Sequence, residues 1–155
     1  MIREMQNEDM KRAGDIWLED SIRLHNFVPD AANFWHARLH HFLLETRSAI
    51  GYVCEAAGSV NGFITMRGED HYIYSLYVDF YLRGQGIGSA LLDKAKSMTN
   101  RLHLHVYRKD VDAVCFYLKH GFVVLVLDPN YGPEEGTGEF KYHMEWKRGD
   151  ETVNP

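Results

Sequence analysis

The sequence predicts a single domain of mixed α/β class, an α+β arrangement in which a central, mixed but largely antiparallel sheet of about seven strands is flanked by about four helices. Three observations lead there. Short β-rich runs and longer stretches with apolar residues at three- and four-residue spacing follow in the order β, α, α, β, β, β, α, β, α, β, β. Two neighbouring β-rich runs, Ile50 to Ala56 and Val60 to Met66, are joined through Gly58-Ser59, as in an antiparallel hairpin. The run Tyr72 to Val78 passes through a glycine-rich turn into a helix before the next strand, which makes a parallel step in an otherwise antiparallel sheet.

Each element has a local cause. Ile2 to Met5 forms a short first strand, and Asn7, followed by Glu8 and Asp9, reads as a helix cap with an acidic first turn. Met10, Ala13, Ile16 and Trp17 recur at helical spacing up to Leu24. After the break at His25 to Pro29, a second helix starts at Asp30 and turns Phe34, Leu39, Phe42 and Leu43 inward. The helix after the glycines turns Ala90, Leu91, Leu92, Ala95 and Met98 toward the sheet. Leu102, Leu104 and Val106 then alternate with His103, His105 and Tyr107, a strand with one apolar and one polar face. Asp110 caps a helix with the apolar stripe Val111, Val114, Cys115 and Leu118, and Gly121 ends it. Phe122 to Leu127 and Phe140 to Trp146 close the fold, with a loop from Asp128 to Glu139 between them. Residues 1–148 make one domain, and Gly149 to Pro155 a flexible tail.

Composition narrows the function. The chain has 155 residues, 45% hydrophobic and 25% charged, with a net charge of −5. That balance argues against sequence-independent nucleic-acid binding, which needs a basic footprint. Cys54 and Cys115 stand in no metal-ligand spacing and suit a reducing compartment, so neither a metal nor a disulfide is expected. The N-terminus lacks the apolar core of a signal peptide, and no apolar run is long enough to span a bilayer. The cytoplasm is the expected location, with no membrane partner and a monomer or homodimer as the assembly.

The most informative segment is Arg83-Gly84-Gln85-Gly86-Ile87-Gly88-Ser89. Glycines at alternate positions let the backbone turn sharply and expose N–H groups, and a helix N-terminus attracts anions. The order strand, glycine turn, helix therefore describes a phosphate cradle. It is not a P-loop, because no Lys-Ser or Lys-Thr pair follows, and not a dinucleotide fingerprint, because Gly88 comes too soon after Gly86.

Downstream, Ala113, Phe116-Tyr117 and Gly121-Phe122 lie on and after the helix capped by Asp110. Together with Arg83-x-x-Gly86-x-Gly88, this order and spacing resemble the GNAT superfamily of N-acetyltransferases. The specific part of the resemblance runs from Leu76 to Phe122. Ile16-Trp17-Leu18, Ser21, His25 and Phe27 further resemble the opening of a bacterial subgroup of uncharacterised or protein-lysine acetyltransferases.

The resemblance implies acetyl-CoA as cosubstrate, with a parallel splay of the sheet at the CoA site. By position, Arg83 through Ser89 hold the pyrophosphate and the backbone of Leu76, Tyr77 and Val78 holds the pantetheine arm, with Phe116 and Asp110 beside the cofactor. It also implies that an amine attacks the thioester directly in a ternary complex. Tyr117 takes the family's general-acid position and protonates the departing thiolate. His105 stands where N-terminal acetyltransferases carry a glutamate, and as an imidazole it is the candidate base, with His25 or His36 as alternatives. Asp110 replaces a frequent asparagine, which favours a capping role. His25, Phe27, Trp35 and His36 are candidates for one wall of the acceptor pocket and Tyr72 and Tyr74 for its floor. The loop carrying Glu134 and Glu135 lies nearby. The acceptor is a primary amine of a small molecule, a peptide N-terminus or a protein lysine. A CoA-sensing or interaction module with weak turnover is the alternative. RNA binding through Arg101, His103, Tyr107, Arg108 and Lys109 is a remoter one.

Overall fold

The computed structural model describes residues 1–129 and 137–149. The loop from Tyr131 to Glu135 and nearly all of the expected tail lie outside the described residues.

The seven described strands form two antiparallel sheets. One has the order β1 (Ile2–Glu4), β2 (Ile50–Ala56), β3 (Ser59–Met66), β4 (Ile73–Val78). The other has the order β5 (Arg101–Tyr107), β7 (Phe140–Lys147), β6 (Val123–Pro129). Among the described residues they are joined by one isolated parallel bridge, Tyr72 to His103. From that bridge β4 and β5 diverge, so the expected parallel splay takes the form of a gap between two half-sheets.

The hairpin between β2 and β3 turns at Ala57 and Gly58, both at positive φ (54° and 75°), which suits the twist of a tight hairpin. Both faces of β3 are covered. Ile64 and Met66 face a core built with Leu91, Leu92 and Ala95 of α3 (Ile87–Lys96), together with Leu102, Leu104 and Met144. Val53 and Phe63 face a second core, with Ile16 and Trp17 of α1 (Met10–Leu24) and Trp35 and Phe42 of α2 (Ala31–Ser48). This double covering explains why β3 is buried without interruption from Gly62 to Met66.

Several local expectations are corrected. The first helix is entered through a single 3₁₀ turn, Asn7–Asp9, with Gln6 rather than Asn7 at the cap. The reason is Asp9, whose carboxylate turns back to accept from the Gln6 N–H at 2.7 Å and from Arg3 Nη1 at 2.8 Å. In α2, Trp35 and Phe42 are buried while Phe34, Leu39 and Leu43 are half-buried against the second core. Gly14 of α1 faces Leu43 and Leu39 of α2, and a Cβ there would stand 3.4 Å from Leu43 Cδ2. Ala90 is exposed, on the outer side of α3.

The last helix, α4 (Val111–Lys119), keeps Val114 of its predicted stripe against the core but otherwise faces differently. Val111 is 62% exposed, and Leu118 and Cys115 are exposed too. Ala113, Phe116 and Tyr117 turn inward instead, because the aromatic rings find aromatic partners: Tyr117 on Phe122 at 5.3 Å and Phe116 on His120 at 4.5 Å. Among the described residues no helix is long and apolar enough to cross a membrane.

Candidate active site

The gap between the half-sheets is a cleft of about 960 Å³. One side of it is the edge of β4. Gly62 to Thr65 of β3 pair with Ser75 to Val78 on one side of that strand. The backbone groups on its other side face the gap from Ile73 onward, since the bridge to β5 is at Tyr72. Leu76, Tyr77 and Val78 all line the cleft, so an extended chain laid there runs along the edge of the strand.

The glycine turn closes one end. Asp79 accepts from the Tyr81 N–H at 3.0 Å, starting a 3₁₀ turn over Phe80–Leu82. Gly84 (φ 78°) and Gly86 (φ 81°) follow in left-handed conformations, and a Cβ on either would meet nothing within 4 Å. Their service is conformational freedom with open space above the backbone. Gly86 occupies the N-cap of α3 without a side-chain cap, so the first N–H groups of the helix remain for an outside acceptor. Gly88 faces Phe116: a Cβ there would make ordinary contact with the ring, 3.5 Å from Phe116 Cε1. Arg83, Gly84, Gly86, Ile87, Gly88 and Ser89 line the cleft, whereas Gln85 does not. Arg83 directs Nη2 to Asp20 Oδ2 at 3.2 Å, and burial raises the pKa of that carboxyl above the ordinary range. The guanidinium thus stands at the rim already paired, and backbone N–H groups make up most of the cradle.

Gly62 was not foreseen as part of this arrangement. A Cβ there would stand 3.0 Å from both Ile87 Cγ2 and the Tyr77 carbonyl oxygen, so the missing side chain lets α3 settle onto the sheet.

Tyr117 lines the cleft from α4, deeply buried. Burial, with the negative charge of Asp110 as a second cause, pushes its pKa well above that of an ordinary phenol. The hydroxyl therefore keeps its proton, the state a general acid requires. Asp110 caps α4 by accepting from the Ala113 N–H at 3.3 Å, and its other oxygen meets His25 Nε2 at 3.1 Å.

His25 lines the cleft, but Trp35 and Phe27 do not. Trp35 is 1% exposed and sits with Phe27 and Tyr107 around the His25 ring, so the aromatic wall supports the histidine from behind. His36 is exposed on α2, away from the cleft. Arg38, His41 and Glu45 of the same helix line it instead, a polar face at helical spacing that sequence reasoning passed over.

Tyr72, Tyr74 and His105 line the end nearest the bridge. The Tyr72 hydroxyl meets His105 Nδ1 at 2.8 Å, and His105 Nε2 meets Asp128 Oδ2 at 3.1 Å. The His105 ring stacks on His143 at 4.5 Å. Burial pushes the pKa of His105 down to about 4, the Asp128 carboxylate opposing and His143 and Lys141 adding to the shift. His103 bridges Asp70 at 3.0 Å and His143 at 2.9 Å, and burial lowers its pKa as well. Asp128, His143 and Asp70 were not among the expected residues. The alternation Lys141, His143, Glu145 in the last strand, matching that of His103 and His105, was the available signal. Donor atoms of His105, Asp128 and His143 lie within 4.8 Å of one another, so this is the trio among the described residues whose spacing admits a metal ion. Of the residues named for the RNA reading, His103 and Tyr107 are buried and Arg101 pairs with Glu145, while Arg108 and Lys109 are exposed.

Residues 47–124 match the family model of the acetyltransferase (GNAT) domain. Peptidyl-lysine N-acetyltransferase YiaC of Escherichia coli is 29% identical over 126 residues, covering 81% of this chain and 84% of the relative. Among solved structures, apo YjaB from Escherichia coli superposes with a TM-score of 0.79 at 23% identity, over 94% of this chain and 96% of that one. The PaiA N-acetyltransferase of Thermoplasma acidophilum, in complex with coenzyme A, superposes with a TM-score of 0.77 at 17% identity, over 95% and 98% of the two chains.

Proposed function

The chain belongs to the GNAT family of acetyltransferases, and we propose that it transfers the acetyl group of acetyl-CoA to the side-chain amine of a lysine in a peptide or protein. The observation that carries the reading is the convergence of three features on one cleft: the glycine cradle at the start of α3, the open edge of β4, and a protonated Tyr117. Acetyl-CoA fits them in kind. Its phosphates suit N–H groups with open space above Gly84 and Gly86, and its amide-bearing arm suits a strand edge that lines the cleft. The cosubstrate supplies an acyl group activated as a thioester.

In this reading Arg83 to Ser89 bind the phosphates, chiefly through backbone, and Leu76 to Val78 align the arm. A backbone N–H at Tyr77 or Val78 polarises the thioester carbonyl, an interaction usually worth about 2.7 to 4 kcal/mol in the transition state. Tyr117 gives its proton to the departing sulfur, and His105 supplies the basic function. Attack is direct, since neither the buried Cys54 nor the exposed Cys115 lines the cleft. The relatives named as peptidyl-lysine acetyltransferases support lysine as acceptor, and Glu45 adds a carboxylate on the acceptor side that attracts a cationic chain. The cytoplasm, where acetyl-CoA and lysine-bearing proteins meet, is the proposed location.

The test is thiol release from acetyl-CoA with two peptide sets, one Nα-acetylated and carrying lysine, the other with a free N-terminus and no lysine, followed by mass mapping. Release with the first set is expected. Modification confined to N-terminal amines would overturn the acceptor assignment.

A further inference from the structure

We propose that Tyr72, His105 and Asp128 form a proton relay, in which the Tyr72 hydroxyl meets the acceptor amine and passes a proton to His105. The inference rests on the acetyltransferase reading above and says which groups supply its base.

Chemistry fixes the direction of the chain. An ionised carboxylate only accepts hydrogen bonds, so the contact of His105 Nε2 with Asp128 Oδ2 at 3.1 Å places the imidazole proton on Nε2. Nδ1 then carries a lone pair, and the Tyr72 hydroxyl, 2.8 Å away, must donate to it. A hydroxyl oxygen has two acceptor sites besides its proton, so Tyr72 can take an N–H from the cleft while donating to His105. The position suits this. Tyr72 makes the bridge to His103 from which the half-sheets part, so it lies at the closed end of the gap along which β4 runs toward the glycine turn.

The step balances. The amine nitrogen forms a bond to the acyl carbon, its N–H breaks, and that proton forms an O–H on Tyr72. The original Tyr72 O–H breaks as Nδ1–H forms, leaving an imidazolium held by the Asp128 carboxylate. The sulfur leaves with its bonding pair and takes the proton of Tyr117. His105 afterwards releases a proton to solvent and Tyr117 regains one, so the net transfer is one proton from nitrogen to sulfur. Burial keeps His105 neutral before reaction, which leaves Nδ1 able to accept. Its low basicity suits a proton collected late, because a nitrogen bonding to an acyl carbon is far more acidic than a free ammonium. Asp128 acts through His105 and is a positioning residue.

The same side chains pose a rival use. A zinc ion with bonds of about 2.0–2.1 Å holds its ligands about 3.3 Å apart, and His105, Asp128 and His143 would have to close on it. Such an ion would compete for Nε2 of His105, which the relay keeps on Asp128. A chelator therefore separates the two.

The experiment uses the full chain, acetyl-CoA, an Nα-acetylated lysine peptide and a series of smaller amines of falling basicity. Tyr72→Phe retains the ring contacts and Asp128→Asn the size of the carboxylate. Both are expected to lower kcat on the peptide at least tenfold, with the acetyl-CoA-induced melting shift preserved. The loss should shrink for weakly basic amines, which surrender a proton without help, and a purely structural role would not produce that trend. Tyr72→Phe or Asp128→Asn at wild-type kcat, or an equal loss across the series, overturns the relay. Loss of wild-type activity in EDTA, restored by zinc, overturns it in favour of a metal. A wild-type protein that neither shifts with acetyl-CoA nor acetylates any amine removes the acetyltransferase reading itself, and the relay with it.

Discussion

Tyr117 shows how one residue's surroundings decide its chemistry. Packed on Phe122 and beside the negative Asp110, its phenol is less acidic than in water, so it stays protonated throughout the neutral and mildly alkaline range. A phenol held protonated in this way is a weaker acid, so a proton passed from it to a leaving thiolate is given up at greater cost. Tyr117→Phe removes one oxygen and leaves the ring stack. It is expected to slow acetylation by about 10²- to 10⁴-fold while the melting shift with acetyl-CoA persists. Unchanged turnover would show that the thiolate leaves without it. The family resemblance singled out Tyr117 in the sequence, and the fold places it on the cleft. Its neighbour's second contact, Asp110 with His25, could not be read from sequence, because the two lie far apart in the chain and meet only through folding.

At the scale of elements, the turn before α3 is where sequence and structure agree most closely, for a physical reason. A left-handed backbone at positions 84 and 86 nearly requires glycine, so the conformation is written locally. Gly86→Ala forces φ near +81° on a residue with a Cβ, at about 1–2 kcal/mol. Gly58→Ala imposes a similar strain in the β2–β3 turn, at φ +75°. Both variants should lose similar stability, while only Gly86→Ala should weaken acetyl-CoA affinity, by titration of the binding shift. Equal affinities would detach the turn from the cosubstrate. The face of α4 shows the opposite case. Its aliphatic and aromatic residues offer two competing stripes, and only partners supplied by other elements select Ala113, Phe116 and Tyr117. The histidine network belongs to the same class. The alternation in β5 marked His103 and His105 as unusual, but Asp128 and His143 reach them from β6 and β7 through non-local pairing that no single segment encodes.

For the whole molecule, joining two half-sheets around a polar cluster makes stability depend on pH. His103 and His105 both have lowered pKa values in the fold, so between an unfolded value near 6.5 and the folded value, about 4 for His105, the unfolded chain binds more protons. Stability then falls as pH falls through that window. Asp20 acts in the opposite sense, its raised pKa favouring the fold as pH drops toward it, but it is one group against two imidazoles. Asp9, Asp70, Asp79 and Glu145 have depressed pKa values, so their contributions persist above the ordinary carboxylate range and are lost only under stronger acid. Acidification from pH 7 to pH 5 should therefore destabilise the protein through the histidines before the carboxylates respond. The His105 share is on the order of 2 kcal/mol, or roughly 4–8 °C in Tm for a chain of this length. In His105→Gln the pH 7 to pH 5 change should flatten by that amount, whatever the variant's absolute stability. An identical slope would mean that His105 is no harder to protonate in the fold than out of it, and would leave the fall in stability over this range to His103.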